Sequence, residues 1–276
     1  MAQVLEKDVA ADQVEATVNY LRESSETPFT YTGGPGSTEV RTGGTPDPRK
    51  VVIRNGRLHP GFALEREGFR FVRHDTEMRD FLDDAEVRRV YYPEMEALIK
   101  AESGASRVVV FDHTLRTADD AVREAIKIRE PVQRVHNDYT EWSGPQRVRD
   151  LLPDEAEDLL KRRFAIVQCW RPIRYPVETF PLAICDATSM SPKDLVISER
   201  RYPNRVGQTY AILYNPAHRW YWFPLMRREE AIVFKVYDSL KDGRARWTAH
   251  TAFDVPNPPA GARPRESIEI RTLAFF

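Results

Sequence analysis

Apolar and β-branched residues gather into short runs over the second half of this chain. From residue 164 onward, "FAIVQCWRPI", "PLAICDATSM", "TYAILYNP", "RWYWFPLM", "AIVFKVYDS" and "SIEIRTLAFF" follow one another, punctuated by Pro, Asn, Gly and Asp. Short strands at this spacing predict an all-β sandwich or barrel. The first half reads differently. Residues 10 to 23 predict a short amphipathic helix, and residues 79 to 103 a longer helical stretch in which Pro93 marks a break or a new first turn. Residues 117 to 129 predict a short charged helix. "LPDEAEDLLKRRF" predicts another, with Pro153 near its start and acids in its first turn. "RVVVFDHTL" reads as a buried strand and Asn55-Gly56 as a tight hairpin. The glycine-rich segment 31 to 50 reads as a flexible loop. No Gly-Lys-Ser/Thr follows its glycines, and no strand-loop-helix frame surrounds them, so it is not a phosphate loop. With no internal repeat and no βαβ alternation, the pattern predicts one mainly β domain with flanking helices. Residues 1–105 form a helical and extended part packed on a core of residues 106–276.

Composition narrows the partners. Lys plus Arg number 41 and Asp plus Glu 42, so no net field draws in nucleic acid or an anionic membrane. The apolar fraction of 41% is that of a folded globular chain. No apolar run approaches the roughly 18 residues of a membrane span, and the N-terminal stretch lacks an apolar signal core. Cys169 and Cys185 are the two cysteines. They make no disulfide framework and suit a reducing compartment. The expectation is a soluble, cytoplasmic protein whose partner is a small molecule, with a homodimer as its one macromolecular contact.

The candidate chemistry begins at "PVQRVHNDYTEW", residues 131 to 142. On a strand, residues i and i+2 project from one face, so His136 and Asp138 can point at a common atom. That is two thirds of a 2-His-1-carboxylate site, the arrangement that suits non-haem Fe(II). Four of the other histidines answer poorly to the need for a third ligand. His59 stands in the hairpin region, and His74 and His113 each adjoin an Asp that a strand would turn to the opposite face. His218 follows an Asn215-Pro216 turn and stays a weaker alternative. His250 lies in the alternating run "RARWTAHTAF", a hairpin's length before "RPRESIEIRTLAFF".

In that last segment Arg265-x-Ser267 sets a guanidinium and a hydroxyl on one strand face. Arg offers a planar fork that matches a carboxylate, and Ser adds a donor. A three-ligand metal leaves positions that a 2-oxo acid can chelate, and the acid's far carboxylate then needs a buried cation nearby. Arg263 is a neighbouring candidate, without the hydroxyl partner. The segment after His250 is long enough for a turn and a return strand beside it.

The order H-x-D, distant His, R-x-S resembles the Fe(II)/2-oxoglutarate oxygenases built on a double-stranded β-helix, a cupin-like jelly roll. "VHNDYT", "WRPI", "CDATS", "NPAHRWYWFP", "KVYDS", "HTAF" and "PRESIEIRTLAFF" are similar to one group within it. That group is gibberellin-desaturase-like and includes fungal hydroxylase/desaturase proteins and a cephamycin methoxylation component. The resemblance covers about residues 107 to 276. It implies His136, Asp138 and His250 as iron ligands and Arg265, supported by Ser267, as the 2-oxoglutarate anchor. It also implies O2 as co-substrate and hydroxylation, desaturation or oxidative cyclisation of a small secondary-metabolite or amino-acid-derived substrate, with release of succinate and CO2.

Further residues carry softer expectations. Arg171, between Trp170 and Pro172 at a strand end, is either solvated or aimed into the barrel mouth at a substrate or co-substrate carboxylate. Tyr139 and Thr140 follow the ligand pair and are expected to line the pocket. Of Trp220, Tyr221, Trp222 and Phe223, two should face the core and two the surface or a dimer contact. Asp186 and Asp238 read as turn formers. Two other classes compete: a cupin-like metal enzyme without 2-oxoglutarate, in which Arg265-x-Ser267 would be idle, and a non-catalytic β-sandwich binding protein.

Overall fold

The computed structural model describes residues 11–33, 40–121, 124 and 128–276. Its strands are, in chain order, β1 (Gln13–Leu21), β2 (Phe29–Thr32), β3 (Val40–Thr42), β4 (Pro46–Asn55), β5 (Phe69–Arg73), β6 (Arg107–Thr117), β7 (His136–Asn137) and β8 (Phe164–Pro172). There follow β9 (Leu182–Cys185), β10 (Leu195–Tyr202), β11 (Arg205–Ile212), β12 (Trp220–Trp222), β13 (Glu230–Asp238), β14 (His250–Ala252) and β15 (Glu266–Phe275). They form a larger sheet, β1-β4-β12-β9-β14-β7-β11-β10-β2-β3, and a smaller one, β5-β13-β8-β15-β6.

Alternation along the strands makes three apolar layers. In β8 the side chains of Phe164, Ile166 and Trp170 pack between the sheets with Leu182 and Ile184 of β9. The intervening Ala165, Val167 and Cys169 pack on the other side, against Val87, Tyr91, Met95 and Ile99 of a helical layer. On the far side of the larger sheet, Ala183 and Cys185 join Val18, Ile53, Trp220 and Trp222. Both faces of the central strands are thus covered, so all nine residues of β8 are buried. No helix among the described residues is long and apolar enough to cross a membrane.

Every run predicted as a strand from residue 164 onward contains one. The first half departs more. Residues 10 to 23 hold β1, not a helix: Ala16, Val18 and Tyr20 alternate in burial, a period of two that only a strand satisfies. Part of the glycine-rich segment is likewise extended. β3 and the start of β4 fall within 31 to 50, while residues 34–39 are outside the described residues. Asn55-Gly56 makes no hairpin. Asn55 ends β4 and its side chain accepts from Arg57 N at 3.0 Å, capping a short 3-10 turn. Gly56 is needed there because a Cβ would come within 2.5 Å of the Phe223 ring. The first 105 residues therefore contribute strands to both sheets as well as the helical layer that packs on the smaller one.

The helical stretch at 79 to 103 is present as Asp84–Glu86, a π turn Val87–Tyr91 and an α-helix Tyr92–Ser103 with Pro93 at its start. Gly104, at φ 75°, ends it. "LPDEAEDLLKRRF" yields only the four-residue helix Ala156–Leu159, and a helix at Ser143–Leu151 precedes it. Of the helix expected at 117 to 129, Asp120, Ala121 and Glu124 are helical, residues 122–123 and 125–127 lie outside the described residues, and Thr117 itself ends β6. Trp220, Tyr221, Trp222 and Phe223 are all buried. They face alternate sides of the larger sheet, which is covered on both, so this quartet offers no dimer contact.

Candidate active site

The antiparallel register of β7 and β14 sets His136 directly opposite His250. Their rings lie 4.3 Å apart between centroids. Asp138 follows β7 by one residue, and its Oδ1 is 3.5 Å from His136 Nε2. One donor atom from each of the three lies within 4.8 Å of the others, close enough to share one ion.

The protonation pattern suits a metal. His136 Nδ1 faces the Arg134 carbonyl at 2.7 Å and His250 Nδ1 faces the Thr248 carbonyl at 3.1 Å. A carbonyl only accepts, so both Nδ1 atoms carry a proton and Nε2 is the atom of each ring left to face a metal. Burial, reinforced by the neighbouring His250, pushes His136 down to about 3, so its ring is neutral. Burial alone would raise the Asp138 carboxyl, but Arg271, His136, His250 and a hydrogen bond from Gln168 together hold it well below the usual carboxylate range. Its outer oxygen, Oδ2, accepts from Gln168 Nε2 at 2.7 Å and Arg271 Nε at 3.4 Å. Asp138 is thus fixed from behind with Oδ1 turned to the histidines, the outer-shell support that metal carboxylates require.

Between His136 and Asp138, Asn137 points the other way, as alternation demands, and is fully buried. Its Nδ2 donates to the Tyr139 and Val236 carbonyls, and its Oδ1 accepts from Thr248 N at 3.1 Å. One side chain therefore ties β7 to the segment that carries His250.

The cavity at this cluster is lined by both histidines and by Arg116, Trp170, Arg265 and Glu269, among others. Strand β15 belongs to the smaller sheet and β14 to the larger, so the return strand lies across from His250 and not beside it. Arg265, Ser267, Glu269 and Arg271 share one face by alternation, and the register pairs Glu269 with Trp170 and Arg271 with Gln168 of β8. Arg265 is 3% exposed, Nη1 donates to the Phe180 carbonyl at 2.6 Å, and its guanidinium carbon lies 5.4 Å from the Trp170 ring centre. Among the described residues its Nε and the buried Ser267 hydroxyl have no partner. Buried donors left unmatched are costly, so a guanidinium in the cavity wall with a hydroxyl beside it on the same strand face fits an anionic ligand. Iron and a 2-oxo acid both fit the residues present.

The other expected residues are elsewhere. Arg171 turns to the opposite face of β8, where Nη2 donates to the His74 carbonyl at 2.9 Å and sits 3.0 Å from His74 Nδ1. It neither lines the cavity nor meets solvent. Tyr139 packs in the core between the sheets. The Thr140 hydroxyl bonds Ser143 and Gln208 at the start of a helix. His218 is held by Tyr20 and by Asp194 at 3.0 Å, away from the cluster. Asp186 caps a 3-10 turn, whereas Asp238 is a fully buried ion-pair partner of Lys235 and Arg163. Gln168, Trp170, Glu269, Arg271 and Arg116 were not singled out in the sequence. Parity gave a signal for three of them: Glu269 and Arg271 share a strand face with Arg265 and Ser267, and Arg116 pairs across from Ser267; Gln168 and Trp170 are reached only through their pairing with Arg271 and Glu269.

Comparison with known proteins places this chain in a class. The family described as "Oxidoreductase/YMDC permease-like domain" matches residues 18–275. A hydroxylase/desaturase of Hormonema carpetanum is 32% identical, with 97% of each chain covered. An Fe(II)/2-oxoglutarate-dependent dioxygenase of Aspergillus novofumigatus is 31% identical over 90% of each chain. A solved iron and alpha-ketoglutarate-dependent endoperoxidase superposes with a TM-score of 0.83 at 28% identity, over 96% of this chain and 98% of that one. The chain belongs to this family of Fe(II)/2-oxoglutarate-dependent oxygenases. It is an enzyme on a jelly-roll fold that uses Fe(II), 2-oxoglutarate and O2.

Proposed function

We propose that His136, Asp138 and His250 hold the iron and that Arg265, supported by Ser267, holds the far carboxylate of 2-oxoglutarate. One observation carries this reading: two histidines that cluster with the Asp138 carboxylate at metal-sharing distance border the same cavity as a buried guanidinium whose Nε has no partner among the described residues. When bound, iron with 2-oxoglutarate and O2 supplies an oxidant able to take hydrogen from an unreactive C–H bond, and succinate and CO2 leave. The protein positions and shields. Gln168 and Arg271 keep Asp138 charged and oriented. Phe180 and Trp170 hold Arg265 in one pose, so a bound carboxylate is fixed at two oxygens. Val132, Leu182 and Ala252 line the cavity and exclude water from the reacting centre.

The substrate is a small organic molecule. The names of the relatives, hydroxylase/desaturase and endoperoxidase, favour hydroxylation, desaturation or oxidative ring closure of a secondary metabolite or amino-acid derivative. Two free, buried cysteines accord with work in a reducing compartment such as the cytoplasm, and all 276 residues act as one domain.

Anaerobic titration of the protein with Fe(II) and then 2-oxoglutarate tests the assignment through the visible charge-transfer band of the chelate. His136→Ala, Asp138→Ala and His250→Ala should each remain folded and lose stoichiometric Fe(II), while His218→Ala retains it. Iron retained in His250→Ala and lost in His218→Ala would reverse the choice of third ligand.

A further inference from the structure

The cavity holds a second guanidinium that the anchor assignment leaves unused. Arg116 lies on β6, in register with Ser267 on β15. Cross-strand partners share a face, so Arg116 projects beside the Ser267 hydroxyl into the cavity that Arg265 and both histidines line. Among the described residues its side chain donates from Nη1 to the Glu130 carbonyl at 2.8 Å. Among the described residues it forms no ion pair.

Arg271, the third guanidinium of the lining, differs. It is engaged by Asp138, Asp112, Thr114 and Glu269, so it has little left for a ligand. Free cationic capacity at this end of the cavity therefore belongs to Arg265 and Arg116. The two also repel each other. Burial pushes Arg265 down to about 9 and the charge on Arg116 pushes the same way, with Glu269 opposing. Two like charges facing one cavity, beside a hydroxyl without a partner, form a site incomplete without an added anion. Glu269 does not complete it, because its carboxylate bonds Arg271.

We propose that Arg116 is a second anchor for the far carboxylate of 2-oxoglutarate, so that this carboxylate lies between two guanidiniums on neighbouring elements. This rests on the reading of Arg265 and Ser267 given above. Between two cations and a hydroxyl, the site selects a 2-oxo acid that carries a terminal carboxylate over one that ends in a methyl group. The two-point grip also fixes the rotation of the chelating end about the metal.

Calorimetric titration of the Fe(II)-loaded protein without oxygen tests it, with 2-oxoglutarate and with 2-oxovalerate, which has the same chain length and no far carboxylate. Arg116→Gln keeps a side-chain amide for the Glu130 carbonyl. It should bind 2-oxoglutarate about tenfold more weakly or worse, bind 2-oxovalerate as the parent does, and keep full iron stoichiometry. Arg116→Lys should recover part of the loss by restoring the charge without the fork. Unchanged 2-oxoglutarate affinity in Arg116→Gln, or an equal loss for both acids, would overturn the proposal. Arg265→Ala in the same titrations separates the two failures. If it loses 2-oxoglutarate and Arg116→Gln does not, the second anchor alone is wrong. If neither variant is affected, the anchor reading itself fails.

Discussion

Two buried guanidiniums lie on opposite faces of the smaller sheet, and both keep N–H groups without a partner among the described residues. Arg265 faces the larger sheet, with Nε unmatched, and Arg171 faces the helical layer, with Nε and Nη1 unmatched. Burial and incomplete hydrogen bonding are therefore alike. Their surroundings are not. Arg265 borders a cavity with His136 and His250. Arg171 is packed, bonded twice to His74 and set 5.5 Å from the Tyr91 ring centre. An unmatched buried donor marks a ligand site only where there is space for the ligand. Elsewhere it is a structural tie held at some cost to stability.

The strongest way to break this comparison is to truncate each side chain and measure the same ligand. A hydrogen bond to a charged group is worth about 1.5–3 kcal/mol, so Arg265→Ala should weaken 2-oxoglutarate binding by roughly 10- to 150-fold and leave iron stoichiometry intact. Arg171→Ala should leave that affinity within about twofold, a difference under roughly 0.5 kcal/mol. If calorimetry finds 2-oxoglutarate weakened as much by Arg171→Ala as by Arg265→Ala, the face of the sheet does not distinguish them.

Stability sharpens it from the other side. Arg171→Ala removes two bonds to the His74 segment and the packing over Tyr91, and should cost about 1.5–3 kcal/mol in denaturant unfolding. Arg171 has no carboxylate partner, so replacing it with an apolar chain of similar length relieves a buried charge. Arg171→Met should therefore unfold later than Arg171→Ala. An equal or larger loss in Arg171→Met would mean the charge itself holds the His74 segment.

The same two faces explain what the sequence could and could not disclose. The closeness of His136 and Asp138 is legible because i and i+2 share a face whatever the sheet does, and Asn137 between them is bound to point away. His250 was legible by its place before Arg265-x-Ser267, although the return strand proved to lie in the opposite sheet. Arg171 was misassigned because every residue of β8 is apolar or buried. With both faces covered, no polar alternation reports which parity points inward. Gln168-x-Trp170 is the inward set, and only pairing with β15 reveals it. β1 was missed for a different reason: Val14, Ala16, Val18 and Tyr20 alternate plainly, but the flanking charged residues resemble a helix in composition.

The finest distinction concerns Ser267, whose hydroxyl is buried without a partner. Such a group has lost water and gained nothing, so removing it from the ligand-free protein should cost no stability and can add some. With 2-oxoglutarate bound, the hydroxyl donates to the carboxylate held by Arg265, and its removal forfeits about 0.5–1.5 kcal/mol, roughly 2- to 10-fold in affinity. Ser267→Ala should then raise or preserve the unfolding midpoint of the free protein while weakening 2-oxoglutarate. The opposite signs are the informative part, because a residue that merely packs the core would lose both together. A Ser267→Ala protein that is destabilised without ligand and binds 2-oxoglutarate normally would move this hydroxyl from the ligand site to the fold.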